Sequence, residues 1–187
     1  MVKIRNEFAR DIDAREALLD RVWGPARWQK TVERLREGRK PAEGLSFIAE
    51  ENGCLIGTVR LWRVGAGPAR PALLLGPLAV EKARRGLGTG TALMQRAIAA
   101  ARRLGHQAVL LVGDAPYYGR FGFSAEKTGA LWLPGPFARH RLLGCELVPG
   151  ALEGARGLIA ATGRTAPSLE LLVARRARTG PAARHAA

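Results

Sequence analysis

Cysteine is scarce in this sequence. Cys54 and Cys145 are its two examples among 187 residues, both in apolar strand-like surroundings and without a Cys-x-x-Cys spacing. A disulfide framework and a zinc site are thereby unsupported, and a reducing, cytoplasmic setting is the expected compartment. The three histidines, His106, His140 and His185, show no ligand spacing, so metal chemistry has no support. Long apolar runs are missing as well. No stretch approaches the roughly 20 residues of a membrane span, and the charged segment from Met1 to Arg10 lacks an apolar core of signal-peptide length. No membrane partner is expected. Acidic residues number 16 against 30 basic ones, a formal net charge of +14. This excess favours anionic partners, with solvated surface arginine as the plain alternative. Aromatic content is only 6% and is not interleaved with basic residues, which argues against a nucleic-acid-binding protein.

What is present is a pattern of strands and helices with ordinary proportions for one globular domain. Val2 to Glu7 alternates as a first strand, and Asp11-Ile12-Asp13 opens a helix whose apolar positions run to Val22, before Gly24-Pro25. Trp28, Val32 and Leu35 predict a second helix over 27–37. Leu45 to Glu50 and Leu55 to Val64 form a hairpin across Asn52-Gly53, because both turn residues tolerate positive φ. Leu73 to Val80 reads as a buried strand. Gly76-Pro77 interrupts it, since proline cannot donate to a ladder, and predicts either a bulge or an edge kink. Leu93, Ala97, Ala101 and Leu104 mark a helix ended by Gly105, with Arg102 and Arg103 offsetting its dipole. Ala108 to Val112 and Leu142 to Val148 are further strands, with a short helical turn at Pro116 to Phe121. The basic end, including an apolar run at 169–173, tails into a segment, 180–187, whose composition predicts disorder.

The most informative segment is Arg84-Arg85-Gly86-Leu87-Gly88-Thr89-Gly90-Thr91. It follows a strand and opens a helix, where glycines let main-chain N–H groups crowd an anion and the helix dipole adds attraction. A P-loop is excluded because Thr91-Ala92 supplies no lysine, and a dinucleotide fingerprint because its third glycine position falls on Thr91 or Leu93. The alternative is a flexible turn.

Arg85 to Gly90 instead resembles the Arg/Gln-x-x-Gly-x-Gly/Ala pattern with which the GNAT acyltransferase superfamily holds the pyrophosphate of coenzyme A. Tyr117-Tyr118-Gly119-Arg120-Phe121-Gly122-Phe123 is similar to its Tyr-x-x-x-Gly-Phe segment. With Gly113-Asp114 and Leu133-Pro134-Gly135-Pro136, the combination resembles a bacterial branch, the YhbS-like predicted acetyltransferases. The resemblance spans about residues 2–155, leaving 156–187 as a C-terminal extension. It implies an α/β (α+β) fold: a mixed, mostly antiparallel twisted sheet of six to seven strands flanked by helices. The function implied is acetyl-CoA-dependent N-acetyl transfer to an amine by direct attack. Main-chain groups of Arg84, Arg85, Gly86, Leu87, Gly88, Thr89, Gly90 and Thr91 would bind the cofactor's phosphates, with Lys82 and Arg120 adding charge. Leu78, Ala79 and Val80 would meet the pantetheine arm where the fourth strand splays from the fifth. Tyr118 is the implied general acid, with Tyr117 beside it as a competitor. A phenol with a reference pKa near 10 is protonated at neutral pH and can return a proton to a thiolate.

The general base has no marker. Residues 73–80 hold no carboxylate, and Asp114 and Glu50 are the candidates, with helix capping the preferred reading of Asp114. The family's frequent Asn upstream of the tyrosine is absent. Two alternatives are a coenzyme-A-binding module without catalysis and a basic nucleic-acid-binding protein. The acceptor, a small-molecule or peptide amine, is open, and a homodimer is among the assemblies the family allows.

Overall fold

A computed structural model describes residues 1–68 and 70–166. In chain order these form β1 (Lys3–Asn6), α1 (Ile12–Trp23), two 3-10 turns (Pro25–Gln29 and Thr31–Leu35), β2 (Ser46–Glu51), β3 (Cys54–Ala66), β4 (Pro71–Val80) and α2 (Thr89–Arg103). There follow β5 (Ala108–Val112), α3 (Ala115–Tyr118), β6 (Leu131–Trp132), β7 (Leu142–Glu146) and β8 (Gly157–Ala161). The strands build one mixed sheet in the order β1-β2-β3-β4-β5-β7, with β8 pairing with β3 and with β6. Six strands on that path match the expected sheet, and β6 and β8 are additions to it. The run at 169–173 and the tail at 180–187 lie outside the described residues.

Sequence alternation divides the core between two faces. Leu73 and Leu75 of β4, with Val109 and Leu111 of β5, join the apolar stripe of α2, in which Leu93, Met94, Ala97 and Ala101 are buried. Leu74 and Leu110 point the other way, into a second cluster with Trp62, Leu131, Leu142 and Ile159. At the end of β4, Ala79 turns toward Leu18 and Leu19 of α1. The hairpin joining β2 and β3 turns at Asn52 (φ 50°) and Gly53 (φ 77°), the geometry that its dipeptide predicts.

The parallel contact of β4 with β5 is confined to Leu73↔Val109 and Leu74↔Leu110. Beyond it the antiparallel register of β4 against β3 shifts, so that Val59↔Leu78 is followed by Leu61↔Leu75. One extra residue is thus held on β4 at Gly76-Pro77. The expected interruption is a bulge, and the strand leaves β5 where the bulge lies.

The expected α-helix over 27–37 is replaced by the two 3-10 turns, which meet at an extended Lys30 (φ −67°, ψ 134°). Tertiary ion pairing outweighs periodicity there. Arg27 is drawn back to α1, bonding Glu16 (2.5 Å) and Asp20 (2.8 Å), and Trp28 is left 60% exposed. Glu7 secures α1 from the other end, since its buried carboxylate bridges Arg15 of α1 and Arg60 of β3.

At Gly57 of β3, Leu93 of α2 packs directly against the strand. A Cβ there would lie 2.9 Å from Leu93 Cδ1. Gly57→Ala is expected to cost about 1–3 kcal/mol through overpacking, and Leu93→Ala about 2–5 kcal/mol through the cavity it leaves. Combined, the two should cost less than their sum, because the shorter side chain admits the added methyl. Urea unfolding of the wild type, both single variants and the double variant measures this, and strict additivity would contradict the packing described.

Candidate active site

The splaying of β4 from β5 opens a cleft of about 290 Å³, walled by Leu75 to Leu78 on one side and Leu111 to Gly113 on the other. Past Val80 the chain enters the glycine loop, where a second hollow of about 450 Å³ is lined by Val80, Arg84, Arg85, Gly86, Gly88, Gly90, Thr91, Tyr117 and Arg120. Tyr117 lines both spaces. The two hollows therefore follow one another along the edge of β4.

Two physical requirements account for the loop's glycines. Gly86 (φ 79°) and Gly88 (φ 82°) occupy the left-handed region, Gly88 as the residue that starts α2. Gly90 is needed for closeness, since a Cβ there would stand 2.8 Å from the Tyr117 hydroxyl. Among the described residues, the amides from Gly86 to Thr91 meet no acceptor; the neighbouring bonds are Arg85 N–H to Lys82 O (3.3 Å) and Ala92 N–H to Gly88 O (2.9 Å). Free amides on a positive-φ loop, at the positive end of a helix that runs to Arg103, form a cradle that can hold an anion. A pyrophosphate fits this donor set, and no side chain of the loop fills it.

The basic residues expected around the cradle divide. Arg85 lines it, and Arg120 lines it too while stacked 4.4 Å over Tyr117 and donating from Nε to the Tyr117 carbonyl (3.1 Å). Arg84 lines it but pairs with Glu51 at 2.5 Å, so part of its charge is already matched. Lys82, Leu87 and Thr89 do not line it; Leu87 is exposed and Thr89 is buried. On β4, Leu78 lines the cleft and Val80 the cradle, whereas the Ala79 side chain packs under α1.

Tyr118 lines the cleft from α3. Its ring rests on Gly113, where a Cβ would fall 2.1 Å from Tyr118 Cε2, and meets Tyr117 (4.8 Å between centroids) and Phe123 (6.1 Å) edge to face. Among the described residues its hydroxyl has no hydrogen-bond partner. Burial, and next the Tyr117 phenol, push the Tyr118 hydroxyl up to about 12, against an opposing pull from Arg141.

Asp114 lines the same cleft and stands at the cap of α3, yet its side chain makes no capping bond; its carbonyl accepts from Tyr117 N–H and Tyr118 N–H instead. The preferred capping role of that carboxylate is thus corrected, since the main chain does the work and leaves the side chain exposed. Glu50, the other candidate base, lies on β2 paired with Arg5 at 2.8 Å and lines neither hollow. Sequence reasoning named none of these residues of the far wall: Trp23 reaches the cleft from the end of α1, Lys30, Glu33 and Arg36 from the 3-10 turns and their flanks, and Arg141 from just before β7. An Arg36–Glu33 pair at i, i+3 was visible in the sequence, but nothing local says that it faces a cleft.

The acetyltransferase (GNAT) family model matches residues 12–123. The Escherichia coli K12 protein named uncharacterized N-acetyltransferase YhbS is 30% identical over 157 residues, covering 83% of this chain and 93% of that protein. A crystal structure of Escherichia coli YhbS in complex with CoA superposes with a TM-score of 0.73 at 29% identity, covering 86% of this chain and 89% of the other. A GNAT family acetyltransferase from Brucella melitensis, solved with acetyl-CoA, gives 0.55 at 30% identity, over 76% of this chain and 94% of its own. Fold, glycine cradle, splayed strands and matched sequence agree: this chain belongs to the acetyltransferase (GNAT) family.

Proposed function

We propose that this protein moves the acetyl group of acetyl-CoA to an amine bound in the cleft between β4 and β5, with Tyr118 as general acid. The observation that carries the reading is the run of unengaged amides from Gly86 to Thr91 at the start of α2, next to a cleft that holds a protonated phenol. The complexes of the relatives from Escherichia coli and Brucella melitensis with CoA and acetyl-CoA support the same cofactor here.

When bound, acetyl-CoA supplies a thioester whose carbonyl carbon accepts the amine nitrogen. The loop amides of Gly86 to Thr91 would hold the phosphates, and the outer edge of β4 at Leu78, Ala79 and Val80 offers main-chain groups that β5 leaves unpaired. Tyr118 would give its proton to the sulfur as the C–S bond breaks and the N–C bond forms, and the phenolate left behind would take the second proton from the acylated nitrogen. Asp114, exposed in the cleft and without an ion pair among the described residues, is our choice to take the proton that the ammonium loses. Positioning in the cleft supplies the remainder of the rate. The free thiols of exposed Cys54 and buried Cys145 suit a reducing compartment, and among the described residues no helix is long and apolar enough to cross a membrane.

Isothermal titration should show acetyl-CoA binding that is lost or weakened at least about tenfold in Gly88→Glu, which puts a negative charge and a strained residue in the cradle; unchanged affinity would remove the cradle from the account. Tyr118→Phe is expected to lower kcat by about 100-fold or more with acetyl-CoA affinity retained. Gly113→Ala, which crowds the same ring, should lower kcat in the same direction. A neutral acid is lost only as pH rises through its pKa, so the Tyr118 phenol at about 12 leaves wild-type kcat free of any decline from its ionisation through about pH 10, where an ordinary phenol is half ionised. A fall near pH 9 that disappears in Tyr118→Phe would contradict this.

A further inference from the structure

The cleft beside Tyr118 carries more positive charge than its own carboxylates match. Glu33 and Asp114 line it, together with Arg27, Lys30, Arg36 and Arg141. Arg27 is satisfied by Glu16 and Asp20, and Arg36 gives one nitrogen, Nη1, to Glu33 at 2.6 Å. The rest of that charge is unmatched. Arg36 has a side chain only 8% exposed, its Nε has no partner, and its Nη2 stands 2.7 Å from where a Cβ of Gly76 would be, at the bulge itself. Gly76 is thus the residue that leaves space for a buried guanidinium at the cleft wall.

Arg141 is exposed and donates from Nε to the Gly113 carbonyl at a long 3.4 Å. Among the described residues it forms no ion pair, and neither does Lys30, whose Nζ lies 3.5 Å from the Trp23 ring centroid. Burial, and next the charge of Arg36, hold the Lys30 ammonium below its usual range, with Arg141 acting in the same sense. Cations that depress one another's charged forms share one electrostatic site, and an anion placed among them relieves the repulsion.

We propose that the acceptor is a small amine bearing an anionic group, a carboxylate or a phosphate, which Lys30, Arg36 and Arg141 receive while the amine faces Tyr118. This inference rests on the acetyl-transfer reading. A cleft of about 290 Å³ admits a molecule of amino-acid size. Guanidinium groups suit either anion, because planar paired donors match both. The anion takes no part in the bond changes; the amine nitrogen still gains the acetyl carbon as the thioester C–S bond breaks.

Amine pairs matched in size and differing in charge test the proposal: glycine with glycinamide, lysine with cadaverine, and phosphoethanolamine with ethanolamine, each followed by thiol release from acetyl-CoA. The anionic member of at least one pair should show a kcat/KM about tenfold or more above its partner. The carboxylate and phosphate pairs tell the two anions apart. In Arg141→Gln and Lys30→Gln, both exposed positions, that preference should shrink toward unity through KM, with acetyl-CoA affinity by titration unaltered. Equal or greater activity with the uncharged partners overturns the inference, as does a preference that survives both substitutions. Absence of turnover with every amine while acetyl-CoA still binds overturns it too. Failure to bind acetyl-CoA at all would instead sink the parent reading.

Discussion

The site depends on one interruption of backbone hydrogen bonding. β4 and β5 run parallel and pair only at Leu73↔Val109 and Leu74↔Leu110, after which the bulge at Gly76-Pro77 carries β4 away. Proline brings no amide to a ladder, so the strand cannot close the gap from its own side. Every other feature of the site uses that gap. The cleft occupies it, the outer edge of β4 faces it, and α3 lines it with two tyrosines. An open strand edge inside a sheet is normally a liability. In the proposed reaction it is the place where an extended cofactor arm takes the missing bonds.

Charge is arranged in the same direction. A helix start with free amides attracts an anion at one end of the groove, and Lys30, Arg36 and Arg141 raise the potential at the other. Tyr117 lines both hollows, and beside it in the cleft stands Tyr118, whose phenol is kept neutral by burial and by Tyr117. A neutral acid can give a proton to a thiolate without first having to regain one. The net charge of +14 therefore has local meaning at the groove, though much of it is solvated surface.

Much of this was legible in the residues. Asn52-Gly53 gave the hairpin because two consecutive positive φ values need such residues, and the alternation of Leu73, Leu74 and Leu75 gave a strand buried on both faces. Gly86 and Gly88 were legible for the same conformational reason, and Gly76-Pro77 for the lost donor. The segment after α1 was not. Trp28, Val32 and Leu35 have helical spacing, but Arg27 is pulled to Glu16 and Asp20, partners 11 and 7 positions earlier, and the chain breaks at Lys30. The same event carries Arg36 to the bulge. Such pairing leaves no periodic trace, so the side chains of the far cleft wall stayed hidden while the glycine loop was plain. Asp114 shows a subtler failure: its position was read well, but its carbonyl, and not its carboxylate, caps α3.

The central claim is that main-chain amides at the start of α2 and along the end of β4 take up the cofactor. Backbone amide chemical shifts of the labelled protein, followed as acetyl-CoA is added, test this most directly. The account predicts that the largest changes fall on Gly86 to Thr91 and on Leu78 to Val80. Changes concentrated instead around the separate cavity between residues 6–12 and 40–44, with the glycine loop unmoved, would contradict it.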